Sequence, residues 1–143
     1  MTSLVETGAR NASGWRVWRA GGVALGAALA ANLLLFVVGR SAGAELLVTP
    51  SGSATITVTA GAIALVTALT VLSGTALTAI VFRRLPRAAL ATGTAAITVT
   101  VLSLAGPLLA ESTSGAKVVL ASMHLVTGAS FAWLVGRSVK RAP

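Results

Sequence analysis

AGGVALGAALAANLLLFVVG, residues Ala20 to Gly39, lies between Arg19 and Arg40 with no charged residue inside it. A helix rises 1.5 Å per residue, so about 20 apolar residues cross the ~30 Å hydrocarbon core of a bilayer. Three more stretches read the same way. One runs from about Thr59 to Phe82 and stops at Arg83, one is Ala88 to Ala110 between Arg87 and Glu111, and one is Val118 to Gly136 between Lys117 and Arg137. A water-soluble helix bundle needs a charged outer face on every helix, and none of these has one. The expected fold is an all-α membrane protein, an antiparallel bundle of four transmembrane helices. Its spans are about 20–39, 59–82, 88–110 and 118–136, forming one domain over 20–136 between basic tails at 1–19 and 137–143.

Composition excludes the alternatives. The 143 residues are 55% hydrophobic and 10% charged, against about 25% charged in a soluble domain. Disordered chains are poor in apolar residues, which this chain is not. The net charge of +8 comes from nine Arg and two Lys against three Glu. Its distribution sets the expected orientation. Arg10, Arg16 and Arg19 precede span one, Arg83, Arg84 and Arg87 join spans two and three, and Arg137, Lys140 and Arg141 follow span four. Only Arg40 and Lys117 lie in the other two connections. Positive residues mark cytoplasmic loops, so both termini are expected inside. Trp15, Trp18 and Trp133 fall at the same boundary, where indole rings anchor at the headgroups. A basic excess so placed points to anionic lipid on the cytoplasmic side rather than to nucleic acid. The expected location is the bacterial cytoplasmic membrane, with several passes. The 19-residue apolar run from Ala20 to Val38 exceeds the ~7–15 of a signal-peptide core, which favours a retained span.

The connections carry local signals. Arg83-Arg84-Leu85-Pro86-Arg87 is a short turn, so spans two and three are expected to be antiparallel neighbours. Pro86 suits the first turn of span three, and Ser112 or Ser114 could cap span four. Between Arg40 and Val58, Leu46-Leu47-Val48-Thr49, Pro50-Ser51-Gly52-Ser53 and Thr55-Ile56-Thr57-Val58-Thr59 read as strand, turn and strand. A short outer hairpin and an extension of span two back to Ala54 both stay open. Pro107 cannot donate to the carbonyl of Ser103, so a helix kink is expected near the outer end of span three.

Chemistry has few places to sit. There is no Cys and no Asp, one His, and the three Glu all lie outside the spans. A triad would have to join His124 to Glu45 or Glu111, a closed metal site lacks ligands, and no acid within a span serves proton-coupled export. The expectation is a protein that is not an enzyme and holds no cofactor or metal. Asn32 and His124 stand out inside the spans, each roughly 10–12 Å below the outer boundary by helix rise. Each begins or ends a row of small residues, Ala20, Ala24, Ala28 and Asn32 or His124, Gly128, Ala132 and Gly136, and such rows face into bundles. The two are therefore expected to face each other or a shared cavity. An interhelical hydrogen bond that fixes packing is the bland version, and a ligand or proton site the sharper one. The span hydroxyls, Thr67, Thr70, Thr78, Thr92, Thr100 and Ser103 among them, are expected to bond the carbonyl one turn back. Gly22-x-x-x-Gly26 is expected to pack within the bundle.

At Met123-His124-Leu125-Val126-Thr127-Gly128, with Pro86-Arg87-Ala88 and the Ser103 to Pro107 segment, the chain resembles small four-span membrane proteins of actinobacteria grouped as a domain of unknown function. The likeness runs from about Trp18 to Arg137. It implies four helices and no assigned activity, catalytic residue or cofactor. Two functions follow as expectations: a membrane protein acting through lipid, another membrane protein or a second copy of itself, or a small transporter with a polar cavity near Asn32 and His124.

Overall fold

Each apolar stretch is helical in the computed structural model, which describes residues 2–50 and 54–140, with side chains from Gly14 onward and not those of Pro86 and Ala88. Helix α1 is Thr2–Ser41, α2 Ala60–Arg84, α3 Pro86–Ala89, α4 Thr92–Ser103, α5 Ala105–Leu109 and α6 Ser114–Lys140. Arg141 and the turn residues 51–53 lie outside the described residues. Four segments are long and apolar enough to cross a membrane: Gly14–Ser41, Ala60–Arg84, Thr92–Leu109 and Ser114–Lys140. They carry large apolar side chains on their outer surface, with Leu102 68% and Leu109 77% exposed. Such a surface suits the hydrocarbon of a bilayer.

Local chemistry sets the ends. Helix α1 continues unbroken through Ala20, so the segment before span one is helix. It stops at Gly43, whose φ of +81° only glycine adopts freely. There Ala44 N–H reaches Gly39 O at 2.9 Å and Gly43 N–H reaches Arg40 O at 3.0 Å, the pair of bonds of a Schellman stop. Thr59 caps α2 through Ala62 N–H, 3.2 Å. At the start of α6 the capping hydroxyl is Thr113, which accepts from Ala116 N–H at 3.2 Å, rather than Ser112 or Ser114. A capping oxygen reaches the N–H two or three residues further on, and only Thr113 does so here. The third span opens at Thr92 rather than Ala88, because α3 closes a turn of its own before the chain resumes. The helix then breaks at Leu104. Pro107 supplies no N–H to Ser103, and Leu104 N–H turns back to Val101 O at 3.2 Å, separating α4 from α5.

The hairpin is present. Strand β1, Leu47–Val48, pairs antiparallel with β2, Ile56–Thr57, in the register Leu47 with Thr57 and Val48 with Ile56. A two-stranded ribbon alone is marginal. Here it is held by a second pairing, Thr49 N–H to Glu111 O at 2.9 Å and Glu111 N–H to Thr49 O at 3.1 Å. Leu46 is buried beneath it, and Lys117 Nζ donates to Leu108 O across the neighbouring connection, 3.0 Å.

The packing order corrects the expectation for spans two and three. Helix α1 packs on α6 and on α2, and α6 packs on α4, while α2 and α4 scarcely meet. Spatially the order is α2, α1, α6, α4. The reason lies in where backbones can approach. A Cβ on Gly21 would overlap Thr75, one on Gly128 would overlap Thr100, and one on Gly136 would come within 3.1 Å of Gly93 Cα. These close crossings join α1 to α2 and α6 to α4, as small residues do where lipid supplies no hydrophobic drive. The seam between α2 and α4 has no such crossing, and α3 lets the chain step sideways between them. The buried cluster of Val17, Ala24, Ala28, Val71, Ala79, Val135 and Val139 lies mostly toward the Arg-rich end. Gly22 and Gly26 point away from the bundle, with nothing within 4 Å of an added Cβ, so that pair packs nothing inside it.

Candidate functional site

Because α2 and α4 diverge, a groove of about 700 Å³ opens between them. Helix α6 forms its back, with Met123, His124, Thr127 and Phe131, and the hairpin residues Ile56 to Val58 roof one end. Val66, Leu77 and Val99 on its walls are 61%, 63% and 64% exposed, so the groove is open along its side. Its volume falls within the ~300–1,000 Å³ typical of ligand pockets. Among the described residues none that lines it is charged.

Asn32 sits at the junction of three helices. It is 2% exposed, and its Nδ2 donates to Thr67 Oγ1 on α2 and Thr127 Oγ1 on α6, both at 2.9 Å. Thr127 donates its own proton to Met123 O at 2.8 Å, so toward Asn32 it can only accept. That fixes which way round the amide lies. The carbonyl side, Oδ1, is buried with no partner.

His124 lies three residues before Thr127 on α6, on one face of the helix. Its Nδ1 is 2.8 Å from Leu120 O. Asn32 and His124 thus line one groove, but no hydrogen bond joins them. The partners of Asn32 are Thr67 and Thr127. Their signal in the sequence was weak, because a span threonine that bonds its own helix looks the same as one that receives a bond from a neighbour.

Four other groove hydroxyls follow the expected local pattern, whereas Thr67 and Thr70, expected to do the same, donate no such bond among the described residues. Thr78 donates to Gly74 O at 2.8 Å, Thr100 to Ala96 O at 2.7 Å, Thr92 to Ala89 O at 2.6 Å and Ser103 to Thr100 O at 2.8 Å. All four nevertheless line the groove. With their protons engaged they offer it only oxygen lone pairs.

Pro107 is buried and lines a second hollow of about 520 Å³ with Val48, Pro50, Ile56 and His124. His124 therefore borders both spaces. Glu45 and Glu111 are exposed at the hairpin end. At the opposite end Arg83 lies beside Gly14, and the Arg137 guanidinium covers the Trp133 ring at 3.3 Å from its centre, a cation–π contact. Arg84, Arg87 and Lys140 are exposed at that same end.

The model of a family of unknown function, DUF6069, matches residues 12–141. The chain belongs to that family. The match takes in all four spans, the hairpin and the groove, so the whole arrangement above is the DUF6069 domain. No curated protein and no solved structure matches this DUF6069 chain.

Proposed function

We propose that this DUF6069 protein is a non-enzymatic, multi-pass protein of a bacterial cytoplasmic membrane that takes a membrane lipid into the groove between α2 and α4. The observation that carries this is the groove itself: open along its side, uncharged, and walled by apolar side chains with a few hydroxyls. A site meant for a water-borne solute is usually reached from an aqueous end. Here the hairpin roofs one end and the open side faces the hydrocarbon.

Both termini lie in the cytoplasm on this reading, and the hairpin outside. Nine of the eleven basic residues at the α2–α4 connection and the two termini support it. The Ala-, Val-, Gly- and Arg-rich composition supports an actinobacterial source. Anionic headgroups would meet Arg83, Arg84, Arg87, Arg137, Lys140 and Arg141 on the inner side. A second copy, or another membrane protein, has the outward Gly22-x-x-x-Gly26 face to pack on. A small transporter, or a subunit of one, is the second reading, favoured by the polar cluster of Asn32 and His124 within the groove.

Native mass spectrometry from nanodiscs tests the lipid reading. Wild type should release with bound lipid that Ala96→Trp, which puts an indole across the groove, does not retain. Equal retention by both overturns it. Solute uptake by proteoliposomes, lost in His124→Ala, would favour the transporter instead.

A further inference from the structure

The groove presents both donors and acceptors: the hydroxyls of Thr57, Thr67 and Thr70 donate no bond among the described residues, whereas other polar atoms can only accept. Leu120 O can only accept, so Nδ1 of His124 carries the proton of that bond, and in the neutral ring Nε2 is left an acceptor. Thr78, Thr92, Thr100 and Ser103 have given their protons to backbone carbonyls. Asn32 Oδ1 is an acceptor with no donor, enclosed in the wall at the three-helix junction. The accepting nitrogen of His124 has no partner among the described residues, and in a place without water it needs a donor from whatever fills the groove.

The occupant is also constrained by size and charge. A helix of about 10 Å diameter would fill 700 Å³ in under two turns, so the space does not take a spanning helix. An alkyl chain is thinner and fits along it. A phosphate or carboxylate would find no cation among the lining residues, and an ammonium no anion. Either charge would be left bare in a low dielectric.

We infer that the groove binds a neutral membrane lipid bearing a hydroxyl group, an alcohol or a phenol, whose O–H donates to Nε2 of His124 while its alkyl part lies between α2 and α4. This rests on the lipid-binding reading above and specifies its ligand. The roof of Ile56 to Val58 then lies over the hydroxyl end, since Asn32 and His124 occupy the hairpin half of the bundle and Thr78 and Thr92 the other.

The test uses two probes in nanodiscs of phosphatidylethanolamine and phosphatidylglycerol: a long-chain alkanol with a mid-chain diazirine, and its methyl ether, which lacks the donor. After photolysis, peptides of α2 and α4 should carry the alkanol saturably, with half-saturation for the ether about three- to tenfold higher, the effect of one neutral hydrogen bond. His124→Ala should bring the alkanol to the level of the ether. Ala96→Trp should abolish labelling by both. Equal saturation by alkanol and ether removes the donor requirement and overturns the inference while leaving the lipid-binding groove in place. No saturable labelling by either probe, or labelling unchanged in Ala96→Trp, removes the groove reading itself. Cross-links that join two copies through the groove overturn both, with a second chain as occupant.

Discussion

A double-mutant cycle on Asn32 separates the observed network from a simple pairing of the two polar residues of the spans. Asn32→Ala removes two interhelical hydrogen bonds, to Thr67 and Thr127. In membrane proteins these contribute about 0.6 kcal/mol each on average and up to about 1.7. The same substitution deletes the unpartnered Oδ1, and leaving such a group buried costs about 1–3 kcal/mol. The two effects oppose, so the single variant should read within about 1 kcal/mol of wild type and decides nothing alone. Coupling is the informative quantity. Asn32→Ala with Thr127→Val should show a coupling of about 0.5–1.5 kcal/mol, because the Thr127 bond to Met123 O is lost on both sides of the cycle and cancels. Asn32→Ala with His124→Ala should be additive within about 0.3 kcal/mol, since no bond joins that pair. Reversible unfolding by steric trapping in bicelles gives these values. A larger coupling to His124 than to Thr127 would refute the network.

Other consequences follow from particular contacts. Gly128→Ala places a Cβ against Thr100 and should destabilise by about 1–3 kcal/mol through overpacking, whereas Gly26→Ala, with open space around it, should be near neutral by the same unfolding assay. Pro107→Ala restores a donor for Ser103 O, and the backbone amide gained by that variant should be protected from hydrogen exchange as α4 and α5 join. Thr49→Pro removes the N–H that reaches Glu111 O, and amides at Val58 and Glu111 should then exchange at least about tenfold faster, the effect of losing one such bond. A single cysteine at Ser112 should react with impermeant maleimide in intact cells, and one at Arg84 only after permeabilisation; the reverse pattern would invert the topology.

The sequence was most informative where physics leaves one solution. Uninterrupted apolar runs such as Ala20–Gly39 have to be helices in a bilayer, since every backbone group needs a partner there. The break at Pro107 and the Gly43 stop follow from one residue each. Packing order was hidden for a matching reason. In lipid every face of a helix is apolar, so no stripe points to a neighbour, and Arg83–Arg87 suggested adjacency by connection length alone. What decides adjacency is a few close approaches, Gly21 to Thr75 and Gly128 to Thr100, in a chain where small residues are everywhere. Asn32 was conspicuous as an amide within a span. Its acceptors were not, because Thr67 and Thr127 resemble every other span threonine.

Helix α4 is bounded by two interruptions, at Leu90–Ala91 and at Leu104, and buries no side chain of its own. It touches the bundle along α6 through Gly93 and Thr100, while the opposite wall, α2, is anchored by Thr75 and Thr67 against α1. The molecule is therefore mechanically unequal from side to side. One bank of the cleft is held by buried contacts and the other along α6 alone. On the lipid-binding proposal, the width of the cleft should therefore follow α4, and bilayers of different thickness should change how bulky a lipid the protein retains.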